Sequence, residues 1–386
     1  MENRRRLSRE ELEKKLENRD IENISVDDLV QLFRSDDDLI NHAPDALCQI
    51  DPRDGALVIY NSKRAKRPHD NLAEVSSSSE EKKQGPCPVC TGQTTGAVDV
   101  AELSEGFTFI NKNLFPILFP PEQVEEKWLS EALYPDPSHR GRISYGMHFL
   151  QWSSSYHDRD WQNMPLEDRI VLLERLAALE RTLLYNSESY MPPSSQWRSQ
   201  KETSGFVSII KNYGAAVGGS LVHGHQQISW SNIMPRSFYN NWCFFTRHRQ
   251  FFSKYLLEEN PRELEIKDYG SAVLLVPYFM KRPFKMMLLL RDVGKQYLSE
   301  LSRGELEAVA EGIHDAIRAI LEIMPRIGKE PAYNMVLHNG PGAGIYLEFL
   351  PYTQETGGFE HLGMCCLLYT SPSPRDRTRS RMPSSA

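Results

Sequence analysis

Three polar side chains follow a glycine-rich stretch near the middle of the chain, in "NYGAAVGGSLVHGHQQI" at residues 212–228. His223, His225 and Gln227 stand at alternate positions, which a β-strand would place on one face. The small residues before them let a backbone approach a ligand closely, and exposed N–H groups in such turns bind anions. An imidazole beside a bound phosphate can attack phosphorus and form a covalent intermediate. The pattern predicts either a phosphate site with a histidine nucleophile or a hydrogen-bonded polar patch on an ordinary strand.

Two cysteines form an isolated Cys-x-x-Cys pair, Cys87 and Cys90 in "CPVC". This spacing lets two thiolates bind one Zn²⁺ ion. Because the chain has no second Cys-x-x-Cys pair, histidines would have to complete the site, and His157 and His223 are the candidates. The alternatives are a redox pair or two thiols without a special role, and a redox pair is disfavoured because the surrounding sequence lacks the βαβ pattern of thioredoxin-like proteins.

A short basic run, "KRAKRP" at residues 63–68, concentrates four cations before a proline. Such a run is often only a solvated loop. In an acidic chain that is expected to bind phosphate, Arg64 and Arg67 become candidate ligands, because a guanidinium group can bind two phosphate oxygens at once.

The composition argues against several classes of partner. The chain has 386 residues and a net charge of −7, so it lacks the basic surface that is typical of nucleic-acid binding. No apolar run reaches the roughly 20 residues needed to span a bilayer, and the N-terminus has no apolar signal segment. We therefore expect a cytoplasmic protein with small-molecule partners, and no association with nucleic acid or membrane.

The order of the predicted elements repeats along the chain. Each half has strands, then one long amphipathic helix, then two strands joined by a glycine-containing turn. The helices are predicted from Pro165 onwards and at 302–324, and the paired strands at 205–230 and 332–352. This repetition indicates an internal duplication.

The predicted domain boundaries follow these changes in pattern. Residues 1–45 are charge-dense and predict a peripheral helix or a partly disordered arm. The first half, 46–235, carries the histidine and cysteine motifs, and the second half is 236–366. Residues 367–386, rich in Ser, Pro and Arg, resemble translated sequencing-adapter sequence, so we expect this tail to be non-native.

Together these motifs resemble the galactose-1-phosphate uridylyltransferase family, within the histidine-triad superfamily. The family pattern Asn-x-Gly-Ala-x-x-Gly-x-Ser-x-x-His-x-His-x-Gln matches residues 212–227. Further matching stretches follow in the family's order between residues 48 and 364: "DPRDGALVIYNSKRAKRP", "CPVC", "FINKNLFP", "WSSSYHDRDW", "VPYFMKRPF" and "LPYTQETGGFE". The resemblance implies an α+β fold of two histidine-triad-like halves, each an antiparallel sheet with packed helices.

The resemblance also assigns roles to individual residues. It implies that His225 is the nucleophile that takes a nucleoside monophosphate from a nucleotide sugar, with Gln227 as a second catalytic residue. The remaining implied contacts are Asn212 and Ser220 for the phosphates, Asn111, Arg64 and Arg67 for the nucleotide, Gln354, Phe359 and Glu360 for the sugar, and Cys87, Cys90, His157 and His223 for a structural zinc ion.

The chain departs from the family pattern at two places. Gly344 and Tyr346 stand where the second half of the family often has histidines, while His338 and Glu348 remain, which implies that the family's second metal site is absent. Gln226 stands where the family usually has a small residue, which predicts an altered substrate pocket.

The implied function is that of a nucleotidyltransferase, most closely a hexose-1-phosphate uridylyltransferase of galactose metabolism that uses UDP-glucose. It would work by double displacement through a nucleotidyl-histidine, in a homodimer whose active site is completed across the interface. The alternatives are an ADP-sugar or diadenosine-polyphosphate phosphorylase that transfers AMP, a histidine-triad hydrolase, or a non-catalytic nucleotide-binding or scaffold protein. The last is disfavoured because binding alone needs no nucleophile.

Overall fold

The strands predicted in the two halves form one antiparallel sheet of ten strands among the residues that the structure describes. The computed structural model describes residues 5–51, 56–59, 61–63, 86–126, 141–186, 190–191, 203–355 and 357–358. Its strands are β1 (Leu47–Ile50), β2 (Leu57–Ile59), β3 (Ala97–Glu102), β4 (Phe107–Lys112), β5 (Gly141–Ile143), β6 (Gly146–Trp152), β7 (Phe206–Tyr213), β8 (His225–Ser231), β9 (Glu265–Asp268), β10 (Ala272–Leu275), β11 (Met286–Leu290), β12 (Tyr333–His338) and β13 (Tyr346–Pro351). β1, β2 and β5 form a separate small sheet.

The strand order of the large sheet is mirrored about its centre. It runs β3-β4-β6-β8-β7-β12-β13-β11-β10-β9, so β7 and β12 are central equivalents, as are β8 and β13, and β6 and β11. At the central pair, Asn334 Nδ2 donates to Asn212 Oδ1 at 2.8 Å, and the rings of Tyr213 and Tyr333 stack with centroids 5.2 Å apart. The predicted α+β fold with two repeated antiparallel halves is confirmed. The two half-sheets are joined edge to edge.

Two long helices cover one face of this sheet. The helices are α1 (Arg9–Glu13), α2 (Val26–Arg34), α3 (Asp37–Asn41), α4 (Leu166–Tyr185), α5 (Arg236–His248), α6 (Phe252–Glu259) and α7 (Arg303–Arg326). α4 and α7, both predicted, pack against each other and share the main core with the strands. Gly312 of α7 lies so close to β11 that a Cβ would come within 2.4 Å of Leu288 Cδ1. In the described part of the chain, no helix is both long and apolar enough to cross a bilayer.

Residues 5–41 pack into the core, whereas the sequence predicted a peripheral helix or a partly disordered arm. In α2, the side chains of Val26, Leu29 and Phe33 are buried, and the Phe33 ring meets Phe149 of β6 edge-on with centroids 5.1 Å apart. Asp27 and Asp28 interrupt this apolar stripe, and the charged residues on both sides of α2 conceal it in the sequence. The domain boundaries at residues 45 and 235 stay predictions.

A fully buried carboxyl group links the two halves. Glu180 of α4 accepts hydrogen bonds from the Ser299 amide at 3.0 Å and from Asn339 Nδ2, in the segment after β12, at 2.7 Å. Burial raises the pKa of Glu180 to about 7, although these two hydrogen bonds oppose the shift. The folded protein therefore holds a proton here that the unfolded chain releases at lower pH.

We expect Glu180 to make the folded state less stable in alkaline solution. The pKa of Glu180 is higher in the folded state than in the unfolded state, so its contribution to the free energy of unfolding is fully present below the unfolded-state pKa. That contribution, about 3 kcal/mol, is lost as the pH rises through about 7. Glu180→Gln cannot ionise, so its free energy of unfolding should fall less between pH 5 and pH 8 than that of the unaltered protein. Urea denaturation of both proteins at the two pH values measures this, and equal pH dependence would contradict the assignment.

Candidate functional site

The face of the sheet opposite α4 carries a cavity of about 610 Å³ in the first half. His225 and Gln227, the first and third residues of β8, both line it, as the alternation of a strand requires. Ser220 from the glycine-rich turn and Asn111 from β4 line the same cavity. Four of the predicted site residues are therefore brought together.

The imidazole of His225 is held in one orientation. Its Nδ1 lies 2.8 Å from the backbone oxygen of His223, and because a carbonyl oxygen can only accept, Nδ1 must carry the proton. Nε2 is then the nitrogen with the free lone pair. Burial lowers the pKa of His225 to about 4, and the nearby Lys211 ammonium acts in the same direction. A neutral imidazole oriented in this way is suited to nucleophilic attack.

The Trp152 indole closes the site beside His225. Trp152 of β6 pairs in register with His225, and the two rings lie 4.9 Å apart between centroids. The Asn111 side chain is hydrogen-bonded within this wall, since its Oδ1 accepts from Trp152 Nε1 at 2.9 Å and its Nδ2 donates to Thr95 Oγ1 at 2.8 Å. The described contacts of Asn111 therefore support the cavity wall.

The glycine-rich turn has a different hydrogen-bond pattern from the predicted anion nest. Residues 215–217 form a 3₁₀ turn, and the amides of Val217, Gly218 and Gly219 donate to backbone oxygens within the turn. Those three N–H groups are therefore used internally. Gly214 has φ +89°, and an added Cβ would lie 2.8 Å from the Pro331 oxygen, so the turn packs closely against the second half.

Gln226 lies on the opposite face of β8 from the cavity, so the prediction that it alters the substrate pocket is wrong. It is completely buried, and its Nε2 donates to Gln151 Oε1 at 3.0 Å. Gln151 in turn donates to the Leu172 carbonyl of α4 at 2.9 Å. Side chains alternate along a strand, so the neighbour of two cavity residues faces the helix layer.

A buried ion pair between Lys211 and Asp160 lies beneath β8 and was not predicted from the sequence. Lys211 Nζ lies 2.8 Å from Asp160 Oδ2 and donates to the backbone oxygen of His225 at 3.2 Å. Gly224 lies against this pair, since an added Cβ would come within 2.6 Å of Asp160 Cγ. A lysine directly after two isoleucines in the predicted strand "SIIKNY" was the available signal, because a buried cation needs a partner.

The N-terminal segment supplies part of the cavity wall, which its charged sequence did not predict. Lys14, Lys15 and Glu17 line the cavity together with Lys112 of β4. Lys112 Nζ, completely buried, lies 2.9 Å from Glu17 Oε1 and 2.8 Å from Asp36 Oδ2. This ion-pair cluster attaches the segment to the sheet at the edge of the cavity.

The four predicted metal ligands, Cys87, Cys90, His157 and His223, also come together. Their ligand atoms all lie within 4.8 Å of one another. Cys90 Sγ is 3.6 Å from Nδ1 of both His157 and His223, and Cys87 Sγ is 3.8 Å from Nδ1 of His223. A tetrahedral Zn²⁺ site with normal bond lengths has an S···N separation of about 3.5 Å. The donor set therefore fits a zinc ion.

The hydrogen bond on the far side of His223 supports the same interpretation. Its Nε2 lies 2.7 Å from the Ser154 backbone oxygen, so Nε2 carries the proton and Nδ1 is left as the ligand atom. Metal-binding histidines normally have such a partner on the second nitrogen.

The remaining predicted residues lie elsewhere. Asn212 is hydrogen-bonded to Asn334 at the central strand pair and is not among the residues that line the cavity beside His225. Gln354 lines a different cavity, in the second half. The other predictions lie outside the described residues: Arg64, Arg67, Phe359 and Glu360.

Comparison with known proteins finds similar chains at low sequence identity. The chain is 20% identical over 364 residues to ADP-glucose phosphorylase from Arabidopsis thaliana. The aligned region covers 86% of this chain and 91% of the relative. A solved uridylyltransferase structure matches with a TM-score of 0.60 at 18% identity, covering 84% of this chain and 94% of the other. The Arabidopsis ADP-glucose phosphorylase structure with bound ADP-glucose matches with a TM-score of 0.53 at 15% identity, covering 83% and 93%. No family model matches the chain. The resemblance predicted from the motifs is confirmed.

Proposed function

We propose that this chain is an enzyme of the galactose-1-phosphate uridylyltransferase family that moves a nucleoside monophosphate between a nucleotide sugar and a phosphate acceptor. The observation that carries the proposal is the neutral imidazole of His225 at the cavity wall, with Nδ1–H bonded to the His223 carbonyl and Nε2 left as the nucleophile. The likeness to a uridylyltransferase and to ADP-glucose phosphorylase supports it.

In the proposed reaction, His225 Nε2 attacks the α-phosphorus of the nucleotide sugar. An N–P bond forms, the bond from α-phosphorus to the bridging oxygen breaks, and sugar 1-phosphate leaves with that oxygen. A phosphate oxygen of the acceptor then attacks the same phosphorus and releases the imidazole. Gln227 and Ser220, which line the cavity, would bind the phosphoryl oxygens, whose charge grows during each attack.

Two versions of this reaction differ in the nucleotide and in the acceptor. In the first, UMP passes between UDP-glucose and a hexose 1-phosphate, which the uridylyltransferase likeness favours. In the second, AMP passes from an ADP-sugar to inorganic phosphate, which the ADP-glucose phosphorylase likeness favours. His225, Gln227 and Ser220 would serve both, because both reactions break the same kind of phosphoanhydride bond.

We further propose that the Cys87, Cys90, His157 and His223 cluster holds a structural zinc ion. A bound ion would crosslink the "CPVC" turn to His223, in the segment that leads into β8. His223 has two positioning functions in this arrangement, since its side chain belongs to the cluster and its carbonyl orients His225. A homodimer and an active site completed across its interface stay predictions.

A trapping experiment tests the transfer mechanism. The full chain is incubated with UDP-glucose or ADP-glucose labelled in the α-phosphate, without acceptor, and the peptide that carries His225 is examined by mass spectrometry. We expect a UMP or AMP adduct on that peptide, and its transfer to glucose 1-phosphate or to phosphate on addition of acceptor. Absence of an adduct with both substrates, together with no exchange of label, would exclude the proposed reaction in favour of a binding protein.

Two adjacent glutamines provide a matched pair of variants. Gln227→Ala removes a cavity amide and should lower kcat/KM by about 10²-fold with little loss of stability. Gln226→Ala leaves the buried Gln151 amide without its partner and should cost about 1–3 kcal/mol of stability, with a smaller effect on kcat/KM. Steady-state kinetics and urea denaturation measure both effects, and a reversed pattern would contradict the assignment of the two faces of β8.

A further inference from the structure

The second half of the sheet carries its own cavity, of about 580 Å³, at the position that mirrors the first. β13 is the equivalent of β8 in the mirrored strand order. Tyr346 and Glu348, the first and third residues of β13, line the second cavity as His225 and Gln227 line the first. The repeated fold therefore builds a second site, in which a tyrosine stands at the position of the nucleophilic histidine.

A cluster of charged side chains around Glu348 lies at this second cavity. Glu348 accepts a hydrogen bond from Lys285 Nζ, and its other oxygen lies 2.8 Å from His338 Nε2. Lys285 and His338 are only 5% and 4% exposed. Burial alone would raise the pKa of Glu348, but His338 and Lys285 hold it at about 2. The carboxylate is therefore charged and neutralises Lys285.

Three buried nitrogen atoms of residues that line the second cavity lack a hydrogen-bond partner in the described part of the chain: His338 Nδ1, Asn241 Nδ2 and Arg282 Nη1. The Asn241 amide is oriented, because its oxygen accepts from the Tyr346 hydroxyl at 2.9 Å. Amide and guanidinium nitrogens only donate, so Asn241 Nδ2 and Arg282 Nη1 are two buried donors without an acceptor among the described residues. A buried donor without a partner destabilises the protein, so this site lacks an acceptor.

The charges at the second cavity favour an anion. Lys281 and Arg282 both line it, and within the described residues neither has a carboxylate partner. Glu355 supplies one opposing charge, which leaves an excess of positive charge. The nearby Phe284 has φ +61°, and strain of this kind in a non-glycine residue is characteristic of ligand-binding segments.

Aromatic side chains supply the rest of the lining. Phe252 lies at the centre of the group, with ring centroids 5.3 Å from Phe244, 6.1 Å from Phe279 and 5.5 Å from Tyr346. Inorganic phosphate would leave these rings without a contact. A ligand that combines an anionic group with a planar ring would use both parts of the cavity.

We propose that this second cavity binds a phosphate monoester that carries a planar ring. The phosphate lies against Lys281, Arg282 and the unpaired donors, and the ring lies against Phe279 and its aromatic neighbours. The site is a binding site, because β13 offers no imidazole nucleophile on its cavity face. The proposal does not depend on the reaction proposed for the first half.

Calorimetric titration of the full chain with phenyl phosphate tests this proposal. We expect saturable binding that Lys281→Glu with Arg282→Glu weakens by about tenfold or more. The matched control, Lys14→Glu with Lys15→Glu in the first cavity, should leave this binding unchanged, as should His225→Ala. Absence of saturable binding, or binding that is lost only in the Lys14 and Lys15 variant, would overturn the proposal.

A second variant tests the ring contact separately from the charges. Phe279→Ala should weaken the binding of phenyl phosphate but not that of methyl phosphate, which has no ring. Equal affinity for the two esters in the unaltered protein, with no effect of Phe279→Ala, would show a simple anion site and would overturn the aromatic part of the proposal.

Discussion

Replacing His225 by alanine is expected to lower kcat/KM by about 10⁴-fold or more, because the proposed reaction loses the atom that forms the covalent bond to phosphorus. The loss should be seen with UDP-glucose and glucose 1-phosphate or with ADP-glucose and phosphate, whichever pair the enzyme uses. Steady-state rates and the yield of the nucleotidyl-enzyme measure it.

Two controls separate this chemical effect from a structural one. His225→Ala should keep the thermal unfolding profile and the zinc content of the unaltered protein, since the metal cluster uses His223. His248→Ala, at an exposed position near the end of α5, should retain full activity. A His225→Ala enzyme that kept substantial turnover would exclude the nucleotidyl-histidine mechanism.

Loss of one metal ligand is expected to have the largest effect on stability. Cys87→Ser should abolish stoichiometric zinc binding and lower the free energy of unfolding by about 4 kcal/mol or more, because structural zinc contributes directly to folding. Activity should fall with it, since the same cluster fixes the residue whose carbonyl orients His225. Metal analysis by mass spectrometry and calorimetric unfolding, with and without a chelator, measure these changes.

Cys243→Ser is the matched control for this experiment. Cys243 lies in α5 and is not one of the four clustered residues, so its replacement should change neither zinc content nor the response to the chelator. If Cys87→Ser behaved in the same way as Cys243→Ser, the cluster would not be a metal site.

The sequence predicted those features that depend on local pattern. The apolar spacing predicted α4 and α7, and the glycine-rich turn between apolar runs predicted the β7–β8 pair. The repeated order of elements predicted the duplication that the mirrored sheet displays. Residue chemistry also selected the Cys87, Cys90, His157 and His223 set, whose ligand atoms meet within 4.8 Å, because few side chains other than cysteine and histidine bind zinc.

Other features followed from contacts between segments that are distant in the chain. α5 and α6 were not predicted, and the packing of residues 5–41 into the core was concealed by their charge. The buried pair of Lys211 and Asp160 was missed because its two members are 51 positions apart in the sequence and only the β6–β8–β7 arrangement brings them to 2.8 Å. The residues next to Lys211 and Asp160 in the sequence do not indicate that the two side chains form a pair.

By itself the sequence predicted that His223, His225 and Gln227 share one face of a strand and that His223 could complete a metal site with Cys87 and Cys90. β8 begins only at His225, so His225 and Gln227 share the strand face, while the His223 side chain belongs to the metal cluster. Only the tertiary structure decided what each face of β8 meets. α4 covers one face, so Gln226 is bonded to Gln151 within the protein, while His225 and Gln227 face the cavity. The alternation of side chains is a local property of the backbone, but which face is buried depends on the helix that packs there.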